Sequence, residues 1–339
     1  MKKIGDSIKL GIGLAIGAGF LVWTLWNVDY DQMLVAFRNV KYLYLLPMLF
    51  IIFFSHWLRA FRWQILLVPV KLTKMTNLFS SLMIGYMANI FMPAHLGEFI
   101  RSYLIGRKES MPSSLAFSTI VVERIIDMFS LLLLLALAII LYPFPDWVRN
   151  GGYIMFIGTF GLLIFLIILK LSPHKTFKFI DFFLFPFPDN IKHKIHEIMT
   201  SFLDGLNPLK HWSHYIWMSI LSVVIWLCYG LVFYIGFFAF NFSKYNLSVL
   251  AALVLLVITT IGVVIPSSPG YVGTYHKLCQ IGLGFFGVPE SEGATFAVVL
   301  HGLNFFPILL VGLIFTSREG LSVASISSKE KIQKAVNPE

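Results

Sequence analysis

The residues able to do chemistry in this chain are few, and they fall in groups. Glu123, Arg124 and Asp127 sit within little more than one helical turn of an otherwise apolar run. At i, i+4 Glu123 and Asp127 share a helix face, and Arg124 and Asp127 are neighbours at i, i+3. Ionisable groups inside a span cost about 2.5–3.5 kcal/mol each on insertion scales, so they face a partner or a wet cavity. Arg124 is the natural contact for an anion. A second group, Asn89, Pro93, His95, Gly97, Glu98 and Arg101, flanks a break in the helical pattern. Pro93 and Gly97 permit irregular backbone there. Glu98 and Arg101, at i, i+3, read either as part of a site or as an exposed ion pair of little energetic weight.

The third group is Ser267, Ser268, Pro269, Gly270, Gly273, Thr274, Tyr275, His276 and Lys277. Glycines and hydroxyls leading into a helix N-terminus suit an anion such as phosphate. Arg59 and Arg62 stand beside Trp57 and Trp63 at the inner end of a span, as anchors or as phosphate contacts. His301 and Asn304 read equally as interhelical hydrogen-bond partners or as site residues. The sequence carries no G-x-x-x-x-G-K-[ST], H-E-x-x-H or G-x-S-x-G. No ATP drive, cofactor, metal or catalytic residue is therefore assigned, and the chain is not expected to be an enzyme. Cys228 and Cys279 lie in apolar runs without ligand-type spacing and read as small buried hydrophobes.

The elements that must position these groups are membrane spans. Of 339 residues 58% are hydrophobic and 13% charged, the latter about half the usual quarter. A soluble fold could not cover its surface with so few charges, and no stretch has the composition of a large extramembrane catalytic domain. The net charge of +9 would suggest nucleic acid in a soluble protein. Here it points to cytoplasmic Lys and Arg near anionic headgroups. Membrane lipids are thus the expected partners, with a homo-oligomer or a lipid-biosynthesis partner protein left open.

Apolar runs at 8–26, 42–58, 115–141, 152–171, 215–240 and 294–315 are long enough to cross. The first lacks a small-x-small cleavage site and reads as a retained span. The runs 75–92 and 247–265 end in Pro/Gly breaks and read as re-entrant hairpins. Residues 172–213 mix lysines (Lys175, Lys178, Lys192) with phenylalanines, as interfacial amphipathic helices do. With the N-terminus inside, twenty of the 26 Lys and Arg fall on the cytoplasmic side and four outside. The expected location is the cell (inner) membrane, multi-pass, with both termini cytoplasmic.

The two breaks also match each other. Pro93-x-x-x-Gly97 parallels Pro269-x-x-x-Gly273. Val121-Val-Glu-Arg-Ile-Ile-Asp127 parallels Val298-Val-Leu-His-Gly-Leu-Asn304, with Arg124 and His301 at corresponding distances from the two prolines. In the assigned topology the dips enter from opposite sides. Such inverted units with broken helices mark transporter folds, whose sites form where they meet. The expectation is an all-α polytopic membrane protein of about six full spans plus two broken-helix hairpins forming an inverted repeat. It is a single transmembrane domain: 1–41 first span and loop, 42–145 repeat A, 146–213 connecting span and interfacial helices, 214–316 repeat B, 317–339 cytoplasmic tail.

The ordered set Trp57-Leu-Arg-Ala-Phe-Arg-Trp63, Asn89-x-x-x-Pro93-x-x-x-Gly97-Glu98-x-x-Arg101, Val121-Val-Glu-Arg-Ile-Ile-Asp127 and Pro266-x-x-Pro269-Gly-x-x-Gly273-Thr resembles the lysylphosphatidylglycerol synthase transmembrane region, or flippase-like, family. The match covers roughly residues 8–316. The resemblance implies a multi-span inner-membrane protein whose better-understood relatives move an aminoacylated phospholipid between leaflets, while others accompany polyprenyl-linked sugar pathways. The soluble aminoacyl-transferase domain of the synthases is absent from this sequence, so synthase activity is not implied. Where the family often has an aromatic followed by Glu after Gly-Thr, this sequence has Tyr275 followed by His276 and Lys277. That favours an anionic phosphate headgroup over a cationic lysyl cargo. The expected function is a lipid translocase, a flippase or scramblase for a phosphate-bearing headgroup (phospholipid, aminoacyl-phospholipid or polyprenyl-phosphate-linked). The alternatives are an integral-membrane enzyme on lipid-linked substrates and a non-catalytic partner of an envelope glycosylation complex.

Overall fold

A computed structural model describes residues 18–26, 28–92, 96–172, 181, 189–205, 212–264 and 268–320. Pro93, His95, Pro266 and Ser267, most of the first expected span, half of the interfacial stretch including Lys175 and Lys178, and most of the tail lie outside the described residues.

All regular structure among the described residues is helical. In hydrocarbon an isolated segment can satisfy its own N–H and C=O groups only as a helix, and long Leu/Ile/Val/Phe runs have no other soluble partner to offer them. The helices are α1 (Tyr30–Arg38), α2 (Leu45–Leu67), α3 (Met75–Phe91), α4 (Gly97–Glu109), α5 (Ser113–Leu141), α6 (Asp146–Leu171), α7 (Asp189–Gly205), α8 (Trp212–Ala239), α9 (Val249–Val264), α10 (Thr274–Gly284) and α11 (Glu290–Arg318). Five of them are long and apolar enough to cross a membrane: α2, α5, α6, α8 and α11. They coincide with five of the six expected full spans. Of the sixth, residues 18–25 are described and helical. Pro307 lies inside α11. α7 lies on α5 through Ile125, Phe129, Met199 and Leu203.

Between the spans lie two shorter helix pairs. α3 and α4 run antiparallel: the Gly97 N–H donates to Asn89 Oδ1 at 2.7 Å near the tip, and Asn77 Nδ2 donates to Glu109 Oε1 at 2.8 Å near the base. α9 and α10 are likewise antiparallel, with Gly262 against Leu278 and Gly282 against Leu255. The open ends of the two pairs lie at opposite ends of the molecule. At one, Lys108 pairs with Glu319 just past α11. At the other, the Tyr142 hydroxyl after α5 donates to the Phe285 carbonyl after α10 at 3.0 Å. There too the Lys41 N–H before α2 donates to the Ala239 carbonyl closing α8 at 2.8 Å.

The tips converge, because the Pro269–Tyr271 turn packs on α3 and Gly270 faces the Ile90 carbonyl. Contacts obey the exchange expected of an inverted repeat. α11 packs on α3 as α5 packs on α9, and α2 lies against α8.

The two equally spaced glycines serve different ends. A side-chain carbon on Gly97 would sit 2.0 Å from the Gly85 carbonyl oxygen, so glycine there lets two helices touch backbone to backbone. Gly273 has φ +88°, a conformation that L side chains rarely adopt, and turns the chain into α10.

Candidate functional site

The ionisable side chains of the first unit converge from three elements. α2 extends to Leu67, two and a half turns past the end expected at Leu58. Arg59 and Arg62 are therefore not terminal anchors; they lie inside the bundle, Arg62 fully buried. Trp63, expected at the membrane surface, is also fully buried and donates to Thr119 Oγ1 at 2.9 Å.

Glu123 on α5 is the hub. Its Oε1 accepts from Arg59 Nη2 at 2.8 Å and from Arg124 Nη2 at 3.2 Å, and its Oε2 accepts from Arg101 Nη2 at 2.7 Å. Asp127, one turn on, accepts from Arg59 at 2.9 Å and from Arg62 at 2.6 Å. Arg59 also donates to the Tyr229 hydroxyl at 3.0 Å, and Arg62 to Ser222 Oγ at 2.9 Å, both on α8. The i, i+3 pairing expected between Glu98 and Arg101 is exchanged across helices. Arg101 turns to Glu123 and stacks on the Trp63 ring, its guanidinium carbon 3.7 Å from the centroid. Glu98 meets Arg124, with Nε 3.1 Å from Oε1 but not aligned as a hydrogen bond.

Four guanidiniums thus share three carboxylates, leaving one formal positive charge. Buried ion pairs repay desolvation only when their geometry is good and their remaining lone pairs are filled. Glu123, with no exposed side-chain surface, meets that condition through three arginines.

The second unit places neutral groups at the positions matching Arg124 and Asp127 and keeps a cation, Lys277, at the one matching Arg101. His301 Nε2 lies 2.9 Å from the Gly270 carbonyl, and Tyr275 stacks on the His301 ring at 5.2 Å between centroids. His276 accepts the Gly273 N–H on Nδ1 and crosses His301 edge-on at 4.7 Å. Asn304 donates back to the Leu300 carbonyl. Lys277, the position matching Arg101, is buried; its ammonium donates to Gln280 Oε1 at 2.6 Å and lies over the Trp23 ring.

Between the units lies a cavity of about 560 Å³, within the ~300–1,000 Å³ typical of small-molecule sites. Of the sequence-predicted residues, Arg59, Asn89, Glu98, Arg124, Asp127, Gly270, Tyr275, His301 and Asn304 line it. Arg62, Gly97, Arg101 and Glu123 do not; they lie behind the charged wall and hold it. Pro269, Gly273, Thr274, His276 and Lys277 shape the second tip and α10 without lining the cavity. Among the arginines on the wall, Arg124 keeps 30% of its side chain exposed, against 9% for Arg59. Sequence reasoning missed His56, Tyr86, Trp226 and Tyr229, which also line the cavity. A usable signal existed for one of them: His56 precedes Arg59 by three residues on the same helix face.

A family model described as the lysylphosphatidylglycerol synthase TM region matches residues 10–312. The chain is similar to a UPF0104 membrane protein of Methanothermobacter thermautotrophicus, 23% identical over 93% of this chain and 97% of that one. It is also similar to two UPF0104 membrane proteins of Methanocaldococcus jannaschii. One is 25% identical over 67% of this chain and 91% of its own length, the other 23% over 90% of each. No solved structure matches.

Proposed function

The chain belongs to the lysylphosphatidylglycerol synthase transmembrane-region family, and from that premise we propose that it is a lipid translocase whose cargo carries a phosphate in its headgroup. The observation that carries this reading is an arginine cluster with one positive charge in excess, whose Arg124 stays 30% exposed on the wall of a cavity between two helix hairpins inserted from opposite ends. A phosphate there gains charge-assisted hydrogen bonds, and the exposed apolar flanks of α5 and α6 suit the tails.

The reading is of a carrier and not of an enzyme. Each of the three carboxylates already takes a guanidinium, so none is left to serve as a general base. Release of phosphate or sugar from lipid-linked substrates by the purified protein would overturn that part.

The direct test is headgroup movement of fluorescent anionic phospholipid in proteoliposomes. Movement above protein-free vesicles is expected, reduced about tenfold or more by Arg124→Ala, the worth of one charged hydrogen bond. No movement above protein-free vesicles for any lipid class would sink the reading. We place the protein in the cell membrane with the α3/α4 base cytoplasmic. In a background lacking Cys228 and Cys279, Arg107→Cys should label from the cytoplasm and Lys244→Cys from outside. Labelling of both from one side would overturn the assignment.

A further inference from the structure

Most of the cavity wall is not charged, and it contains polar atoms that nothing satisfies. Neither ring nitrogen of His56, nor the Tyr86 hydroxyl, nor the Trp226 indole N–H has a hydrogen-bond partner among the described residues. All three side chains line the cavity, and His56 and Trp226 are each 7% exposed. Buried polar groups are nearly always paired, and leaving one unpaired costs about 1–3 kcal/mol. Three such groups on one wall are hard to explain as packing.

They are also grouped around the guanidinium of Arg59. The His56 and Tyr86 rings meet edge-on at 5.3 Å, Arg59 lies over the Tyr86 ring at 5.7 Å, and Trp226 crosses Tyr229, the Arg59 acceptor, at 5.8 Å.

The chemistry of this set is specific. Indole is a donor only, phenol is donor and acceptor, and neutral imidazole offers one of each. Asn304 on the facing wall adds a side-chain carbonyl whose amide partner is already spent on Leu300. Such mixed neutral donors and acceptors, set among aromatic rings, match hydroxyl groups. A cationic headgroup is disfavoured by the net positive charge of the neighbouring arginine cluster. Glu98, Glu123 and Asp127 are all engaged by arginine, and the site as a whole is one charge positive.

The geometry points to a lipid phosphodiester capped by an uncharged polyhydroxyl group, such as glycerol, inositol or a sugar, as the substrate class: phosphate toward Arg124 and Arg59, hydroxyls toward His56, Tyr86 and Trp226. The inference rests on the translocase reading for its lipid, but headgroup recognition is measurable without movement. It requires only that the shielded polar atoms of His56, Tyr86 and Trp226 turn into the cavity when a hydroxyl arrives.

The test is binding of short-chain phosphatidylglycerol, phosphatidylinositol and phosphatidylethanolamine to the intact chain in detergent, followed by native mass spectrometry, with glycerol 3-phosphate as the lipid-free control. The hydroxylated lipids should bind about tenfold or more tighter than the amine. His56→Phe and Trp226→Phe should each cut that preference about threefold or more, whereas Arg124→Ala should weaken all three lipids together. Equal or tighter binding of phosphatidylethanolamine by the unmodified chain overturns the inference, whatever the variants do. An undiminished preference in both His56→Phe and Trp226→Phe overturns the residue assignment. Glycerol 3-phosphate binding as tightly as the lipids would make the ligand a free phosphate ester. Selective binding without headgroup movement would leave this inference standing and remove the translocase reading; movement without selectivity would do the reverse.

Discussion

The two hairpin units share a backbone plan and differ in almost every polar residue. Around the first, Arg59, Arg62, Arg101 and Arg124 are locked to Glu98, Glu123 and Asp127. Around the second, the matching positions hold His301, Asn304 and Lys277, tied by single hydrogen bonds to the neutral acceptors Gly270, Leu300 and Gln280. An inverted repeat therefore fixes where helices break, not what chemistry sits at the break. Here one wall grips charge, and the wall opposite lines the cavity with neutral hydrogen-bonding groups and keeps Lys277 behind them.

Removing the hub of the charged wall should have the largest effect. Glu123→Gln leaves Arg59 and Arg101 buried with too few anions, and loss of one partner in such a pair costs about 3–5 kcal/mol. Fluorescence-detected thermal unfolding in detergent should show a fall of that order. A variant as stable as the parent would show that the charged wall is not held by this residue, and the contrast between the units would lose its basis.

The glycines sharpen the comparison next. Gly97→Ala forces a carbon onto the Gly85 carbonyl, an overpacking cost of about 1–3 kcal/mol that should rise further in Gly97→Val. Gly273→Ala should also cost about 1–3 kcal/mol, through its φ of +88°. Should Gly97→Val prove no worse than Gly97→Ala by the same melt, the close approach is not what selects glycine in the first unit.

On the neutral wall the expected effects are smaller. His301→Phe removes one hydrogen bond to the second tip, about 1 kcal/mol, with no disturbance of the arginine cluster. A loss as large as that of Glu123→Gln would mean the second wall is as tightly coupled as the first.

The smallest effect lies at the solvated end. Lys244 donates to Glu292 at 2.7 Å, and that hydrogen bond raises the lysine above its ordinary value of 10.5. A raised lysine contributes stability that is complete below the unfolded value and is lost as pH climbs through the folded one. The side chain is 59% exposed, so solvent screens most of it. Unfolding temperatures of the parent and Lys244→Gln should differ slightly at pH 8 and converge as pH rises past the raised lysine value. Divergence with rising pH would reverse the sign.

Much of the fold was legible because bilayer chemistry leaves few options. Run length located α2, α5, α6, α8 and α11, and paired Pro/Gly spacings located both hairpins. The site was half legible. Glu123 and Asp127 stood out by their depth in a span, and the structure pairs both with arginines from other helices. Arg59 and Arg62 stayed open between anchors and phosphate contacts because the hydropathy of α2 falls at Arg59, yet the helix continues to Leu67. Only tertiary partners on α5 and α8 make those arginines interior groups, and local pattern cannot see such partners. Glu98 and Arg101 stayed open for the same reason: i, i+3 spacing permits a pair, but Glu123 and Arg124 compete for each side chain and win. His56, Tyr86 and Trp226 were hidden because aromatic residues in an apolar run look the same whether they face lipid or a cavity.

Pro307, six residues past His301, gives the neutral wall a mechanical character the other lacks. Proline cannot donate to the carbonyl four residues back and presses against it, so α11 has a missing rung beside Leu303 and bends there at little further cost. α5, which carries Glu123 and Asp127, has no proline and is clamped sideways by arginines from two other helices. One side of the chamber is thus stiff and the other compliant. Any change of shape around a bound headgroup will concentrate its strain in α11, leaving the arginine lattice as the fixed frame.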